Sequence, residues 1–180
     1  MLATAHATIG AVTGLGRPRD LSKPLAHAYI TGMVGEFQGF ARDLNNLTVQ
    51  RLIDASAADP RFVSVLTEGL TRGRALDRNN SDLRTIKADF GRLGLSPLDL
   101  GVHDARWSSN DSNELPLVFN LRNALAHGNE AELRTLRSSQ VQDTVAWARR
   151  RLPVLNRVAK SLDHLVWDHL HTMIGTDPWR

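Results

Sequence analysis

The sequence predicts an all-α fold, a helical bundle that ends in a long C-terminal helix. Apolar residues recur every three or four positions in several segments, which is the spacing of one helix face. No segment combines strict apolar–polar alternation with hairpin turns, the pattern of β-strands. The chain has 180 residues, 42% hydrophobic and 23% charged, so we expect one domain with a single core.

Composition excludes several classes of protein and site. The chain has no cysteine, so it forms no disulfide, thiolate zinc site or cysteine nucleophile. It has no run of about 18 apolar residues that could span a membrane, and its first residues lack the basic region of a secretory signal. We therefore expect a cytoplasmic protein without membrane partner or cofactor.

Residues 1–20 are predicted to be a flexible N-terminal segment, since glycines and a proline interrupt them, and a helical domain is predicted over residues 21–180. The first helix begins near Ser22, and residues 49–57 extend or restart it. Its predicted core stripe is Tyr29, Met33, Phe37, Phe40, Leu44 and Leu47. A stripe of glycines lies beside it, Gly32, Gly35 and Gly39. Because glycine destabilises a helix interior, this stripe suggests that another helix packs closely there.

The sequence of the middle of the chain predicts three further helices and a loop. A second helix is expected from Asp59-Pro60 to about residue 70, and a third is capped within the Asn79-Asn80-Ser81 turn and stopped by Gly94. Residues 96–113 show no period and are predicted to be a loop. The next helix is expected from about residue 113 to His127.

The last helix carries the strongest periodicity. After Ser139, apolar or small residues recur in steps of four and three, at Val141, Val145, Ala148, Leu152, Leu155, Ala159, Leu162, Val166 and Met173. Such heptad spacing predicts a long helix that packs along others at a shallow angle. His169 fills the one gap and is interpreted as a core or interface histidine with a hydrogen-bond partner. His164, Asp168 and His171 are too far apart along the helix for one metal ion, so no metal site is predicted.

Positive charge is concentrated between Arg134 and Lys160. This basic segment holds seven basic residues and one acidic residue, a net of +6, whereas the whole chain carries +3. A local excess of this kind suits a phosphate-bearing partner, and the alternative is an ordinary solvated helix face. The residues expected to bind an RNA backbone are Arg134, Arg137, Arg149, Arg150 and Arg157.

Residues 120–130 carry the most chemistry. Leu117, Val118, Leu121 and Leu125 form a stripe that is predicted to face the core. The opposite face holds Phe119 and Ala126, flanked by Arg122, Asn123 and His127. We expect this face to contact a second copy of the same helix across a two-fold axis.

The side chains of Arg122 and His127 suggest a reaction. A guanidinium binds phosphate bidentately, and an imidazole transfers protons near neutral pH. RNA cleavage by the ribose 2′-hydroxyl needs a base and an acid, which two copies of His127 would supply while Arg122 stabilises the phosphorane. The alternative is that His127, followed by Gly128, simply terminates a helix.

The segment Arg122-Asn123-Ala124-Leu125-Ala126-His127-Gly128 resembles the Arg-Asn-x-x-x-His signature of the HEPN superfamily. The similarity extends over roughly residues 24–172 to the branch called RiboL-PSP-HEPN-like, with Gly35-Glu36-Phe37, Phe90-Gly91-Arg92-Leu93-Gly94 and the long last helix. It implies a HEPN-like helical bundle that dimerises. It also implies a metal-independent endoribonuclease with Arg122, Asn123 and His127 in its site.

The resemblance further implies a toxin or phage-defence role, with RNA as substrate and an antitoxin or regulatory protein as partner. Some toxin members have a tyrosine two residues after the histidine, where this chain has Asn129. Other members are inactive, so a catalytically silent dimeric interaction or nucleotide-sensing module stays open, as does a small-molecule-binding bundle. Glu36 is expected to position Arg122 through an ion pair, unless it reaches solvent.

Overall fold

The structure is a computed structural model that describes residues 21–56, 59–78, 82–95 and 109–179. Within these ranges the chain forms six α-helices and no strand: α1 (Ser22–Ala55), α2 (Pro60–Thr71), α3 (Leu83–Gly91), α4 (Ser109–Ala126), α5 (Glu130–Ser138) and α6 (Val145–Ile174). A short 3₁₀ turn covers Ala75–Asp77. The all-α fold with a long last helix is confirmed. No helix in the described part of the chain is both long and apolar enough to cross a membrane.

Several predicted helix bounds are correct, whereas the predicted starts of α3, α4 and α6 are not. α1 continues without a break to Ala55, and Asp59 caps α2 by accepting the Arg61 N–H at 2.9 Å. α3 is capped by Asp82, which accepts the Thr85 N–H at 2.7 Å, and not from within the predicted turn. α4 begins at Ser109, inside the predicted loop. The predictions for residues 1–20, 79–81 and 96–108 lie outside the described residues.

Helix α5 was not predicted, although its sequence contains ordinary helix signals. The Asn129 side chain accepts the Glu132 N–H at 3.1 Å, and acidic residues occupy the first turn. The α5 C-terminus requires a left-handed residue, which is Gln140 with φ of 62°. The Val141 N–H then bonds to the Leu136 carbonyl at 3.0 Å, so Val141 closes α5 and the long helix starts later than predicted.

The buried face of α1 is rotated from the predicted stripe. Ile30, Val34 and Ala41 are buried in addition to the predicted Met33, Phe37 and Leu44, whereas Leu47 is 40% exposed. The predicted close packing on the glycine stripe is wrong at two positions. A methyl group added at Gly35 or Gly39 would meet nothing within 4 Å among the described residues.

Contacts group the chain into two compact units. Unit 1 contains the described residues 21–36 and 117–153, and unit 2 contains those of 37–116 and 154–180. The core of unit 1 is Ala26, Ile30, Met33, Val34, Val118, Phe119, Leu121, Ala124, Leu133, Leu136, Val141, Trp147 and Ala148. In unit 2, α6 buries Leu155, Leu162 and Val166 from its heptad pattern. The motif residues and the candidate sites described below belong to unit 1.

His169 has the role that its position in α6 predicts. Its half-buried ring lies with Nε2 3.0 Å from the Leu93 carbonyl oxygen, which accepts the ring N–H in the matching tautomer. Gly94 follows with φ of 83°, and a Cβ there would lie 3.3 Å from His169 Cε1. Both a left-handed backbone and the ring therefore favour glycine at this position.

Candidate functional site

The helix end that carries His127 is built by Gly128. Gly128 has φ of 60°, and its N–H bonds to the Leu125 carbonyl at 3.4 Å. The Asn129 N–H bonds to the Ala124 carbonyl at 2.9 Å, which completes a Schellman motif. Because the Asn129 side chain at once caps α5, His127 lies at the junction of two helices. The position of the imidazole is thus set by local structure.

A surface depression of about 200 Å³ lies at this junction and is called the His127 depression below. Its walls are Asn120, Asn123 and Ala124 from α4, His127 directly after that helix, Asn129 as the cap of α5, and Glu132 from the first turn of α5. His127 is exposed, so its imidazole is accessible to a ligand. Asn120, Asn123 and His127 are spaced three and four residues apart, which places them on one face of the helix end.

Arg122 adjoins this depression without lining it. Its half-buried side chain donates from Nη1 to the Asn123 Oδ1 at 3.1 Å. Since Asn123 does line the depression, its amide connects the guanidinium to the site. With Oδ1 accepting from Arg122, the Asn123 amide NH₂ remains as a donor for a ligand. Within one chain, the motif therefore brings Asn123 and His127 together directly and Arg122 through Asn123.

Two expectations about the surroundings of the motif differ from the structure. Phe119 is only 2% exposed, so it belongs to the core of unit 1 and cannot stand at the centre of a dimer face. Its neighbours Leu115 and Val118 are buried as well, which shows that the buried arc of α4 is wider than one stripe. Glu36 is exposed, and among the described residues no ion pair joins it to Arg122, which matches the solvent alternative.

The five arginines expected to bind RNA have different environments. Arg134, Arg149 and Arg150 are exposed. Arg137 is exposed but forms an ion pair with Asp143, with Nη2 2.8 Å from Oδ2. Arg157 donates from Nε to the Oδ2 of buried Asp111 at 3.0 Å, and this hydrogen bonding raises the pKa of the Arg157 guanidinium. Arg157 is thus already engaged by a buried carboxylate of unit 2.

Sequence reasoning missed Asn120, Asn129 and Glu132 as residues of the depression. Two signals could have found them. The spacing of Asn120 relative to Asn123 and His127 puts all three on one helix face. The Asn129-x-x-Glu132 pattern after Gly128 is typical of a helix N-terminus and predicts that α5 folds back beside His127.

Two of the histidines of α6, His164 and His171, lie on its surface. His164 Nε2 lies 3.5 Å from Asp168 Oδ2, and the Trp167 ring stacks on His171 with centroids 4.7 Å apart. His164, Asp168 and His171 are all exposed. In the ranges that the structure describes, no three histidine or acidic side chains converge as they would around a metal ion.

No family model, curated protein or solved structure matches this chain. At the junction of α4 and α5 an accessible imidazole, an amide and a guanidinium lie within a few residues of one another.

Proposed function

We propose that this chain is a metal-independent endoribonuclease of HEPN type, which cleaves RNA at a composite site formed by two copies. The observation that carries the proposal is the connection of the three motif residues. His127 and Asn123 line one accessible depression, and Asn123 holds the Arg122 guanidinium at 3.1 Å. An imidazole for proton transfer and a cation for phosphate are thus available at the same place.

The proposed reaction is an internal transesterification. One imidazole takes the proton of the ribose 2′-hydroxyl as its oxygen forms a bond to phosphorus. A protonated imidazole gives its proton to the leaving 5′-oxygen as the P–O5′ bond breaks. One His127 cannot serve as base and acid at once, so the second copy provides the other imidazole. Arg122 stabilises the phosphorane charge, and the Asn123 amide orients the phosphate or the histidine.

The proposed contact between the copies uses the exposed end of α4. Phe119 is buried, so the proposed contact uses the accessible residues at the C-terminal end of α4, which include Asn120, Asn123 and Ala126, and His127 directly after the helix. A small alanine lets two helices approach closely, which favours a meeting of the two depressions. Such an enzyme would act in the cytoplasm as a toxin or phage-defence effector, restrained by an antitoxin or regulatory protein.

The test is cleavage of single-stranded RNA in the presence of EDTA. We expect His127→Ala to lower the rate by about 10²–10⁴-fold, the usual contribution of general acid–base catalysis. His164→Ala is the matched control, since His164 is an exposed histidine of unit 2. Sedimentation of both variants checks that the oligomeric state is unchanged. Equal cleavage by wild type and His127→Ala would refute the proposal.

Mixing experiments test the composite site. Wild-type chains titrated with an excess of His127→Ala chains should lose activity as mixed dimers form, because each mixed dimer lacks either the base or the acid. Activity that stays proportional to the wild-type concentration would contradict a shared site. RNA binding without any cleavage by the wild-type protein would favour the alternative, a catalytically inactive dimeric interaction or nucleotide-sensing module.

A further inference from the structure

Unit 1 contains a second and larger concavity where α5 ends and α6 begins. This arginine groove has a volume of about 770 Å³ and is open to solvent. Its charged walls are Arg137 from α5, Asp143 from the connection, and Arg150 and Arg151 from α6. Three arginines and one aspartate therefore line the groove, whose charged residues carry a net positive charge.

The charges of the groove are held in place by named contacts. The Arg151 guanidinium lies over the Trp147 ring, with Cζ 4.3 Å from the ring centroid, a cation–π geometry. Burial would raise the pKa of the Asp143 carboxyl, but the hydrogen bonds from the Arg137 side chain and from the backbone, together with the nearby positive charge of Arg137, outweigh burial and lower the pKa. Asp143 orients Arg137 by accepting from its Nη2 at 2.8 Å, while the exposed Arg150 donates from Nε to the Ala146 carbonyl at 3.4 Å.

The first turn of α6 adds to the attraction for an anion. The Thr144 hydroxyl accepts the Trp147 N–H at 3.1 Å and so caps the helix. Thr144 and Trp147 both line the groove, which places the positive end of the α6 dipole at its wall. The polar side chains of Gln140 and Gln142 also line the groove and offer amide donors. Phosphate oxygens match this set of donors.

The arginine groove adjoins the His127 depression along α4. Leu117 lines the groove and Asn120 lines the depression. Residues three apart on a helix are surface neighbours, about 5–6 Å between Cβ atoms. Helix α5 likewise contributes Glu132 to the depression and Arg137 to the groove. One extended ligand can therefore occupy both concavities.

We propose that the arginine groove binds the phosphodiester backbone of single-stranded RNA and leads the strand to His127. The identity of the ligand rests on the proposed function, whereas the groove's affinity for phosphate rests on its own arginines. A strand suits the site better than a single phosphate, because several cations line an open groove and its wall at Leu117 lies one helical turn from Asn120 of the depression. The binding is independent of base sequence, since guanidinium groups and helix termini contact phosphate and not base edges.

The experiment measures binding apart from cleavage. The probe is a fluorescent, fully 2′-O-methylated single-stranded RNA of about ten nucleotides, which lacks the attacking hydroxyl. Anisotropy titrations between about 50 and 200 mM salt give the dissociation constant and its salt dependence. Arg150→Gln is compared with Arg84→Gln, which makes the same charge change at an exposed position of α3 in unit 2.

We expect Arg150→Gln to weaken binding and to make the slope of log K against log salt shallower by about 0.7, the loss of one phosphate contact on a single strand. Arg84→Gln should leave that slope unchanged. Equal slopes for the two variants would overturn the proposed groove. Inorganic phosphate and AMP form a second arm, and a mononucleotide that binds as tightly as the oligonucleotide would overturn the strand as ligand.

The two proposals fail in different ways. If the groove binds RNA but the protein is not a nuclease, the methylated probe still binds with the Arg150-dependent slope while unmodified RNA stays intact in EDTA. If the protein is a nuclease that uses another surface, His127→Ala abolishes cleavage while Arg150→Gln and Arg84→Gln behave alike in binding. The first result supports RNA binding by the groove and refutes the nuclease. The second result supports the nuclease and refutes RNA binding by the groove.

Discussion

Replacement of Arg157 by glutamine tests whether this arginine holds unit 2 together or serves RNA. Its guanidinium contacts Asp111 through two atoms, with Nε donating to Oδ2 at 3.0 Å and Nη2 to Oδ1 at 2.5 Å. The Asp111 side chain is 3% exposed and that of Arg157 is 41% exposed. Loss of the cation would leave a buried carboxylate in the first turn of α4 without its bidentate partner.

The expected cost follows from this burial. Removal of one partner from a fully buried pair costs about 3–5 kcal/mol. Water reaches the exposed side of Arg157, and glutamine can still donate one hydrogen bond, so we expect about 2 kcal/mol of lost unfolding free energy. For a chain of this size that corresponds to a fall in melting temperature of about 4–8 °C.

The assay is urea unfolding followed by far-ultraviolet circular dichroism. Arg149→Gln is the control, since Arg149 is exposed on the same helix, and its change should stay within about 0.5 kcal/mol. The double variant Asp111→Asn with Arg157→Gln should lose less than the two single losses added together, because the pair acts as one unit. If Arg157→Gln is as stable as Arg149→Gln, the pair contributes nothing and the reasoning is wrong.

Three further outcomes are expected. Gly94→Ala should lower the unfolding free energy by about 2 kcal/mol in thermal melts, because alanine is strained at a φ of 83° and its Cβ would press on His169 at 3.3 Å, and an unchanged melt would contradict this. Gln140→Gly should raise stability by about 0.5–1 kcal/mol in urea, since it relieves a non-glycine φ of 62°, and a loss would refute it. The lowered pKa of Asp143 gives stability that is complete above the ordinary aspartate pKa of about 3.9 and is lost as pH falls through the lower folded value. The melting temperature should therefore fall less steeply with decreasing pH for Arg137→Gln than for wild type. Equal pH dependence in the two proteins would show that the ion pair does not stabilise the folded state.

The sequence predicted those helix ends whose signals are local. Asp59-Pro60 and Gly128 give the cap and the left-handed stop that the structure contains. α5 has the same nine-residue length as the predicted α3, and it was missed although Asn129 caps it and acidic residues occupy its first turn. The turn at Gln140 could not be predicted either, because glutamine has no preference for positive φ. Its conformation follows from the closure of α5.

The helical wheel predicted which residues share a side of α4 but not how much of that side is covered. Val118 and Leu121 are buried as expected, and Asn123 and His127 are accessible. Phe119 was assigned to an outer face because it lies opposite the first stripe. In the structure Phe119 is buried, and a wheel drawn for one helix carries no information on the tertiary packing that buries it. Large aromatics contribute much apolar area, so a wide buried arc is the more stable arrangement.

The two concavities of unit 1 differ in whether consecutive residues or residues distant in sequence form them. This difference explains why the first could be predicted from the sequence and the second could not. Asn123, His127 and Asn129 lie within one helix end and the cap that follows, so their arrangement follows from a few consecutive residues. The arginine groove instead requires Arg137 and Arg150, from two helices, to meet across the turn at Gln140. A count of charges along the chain therefore located the basic segment. It could not show which arginines of that segment line a common groove and which one, Arg157, is paired with a buried carboxylate, because that depends on the fold.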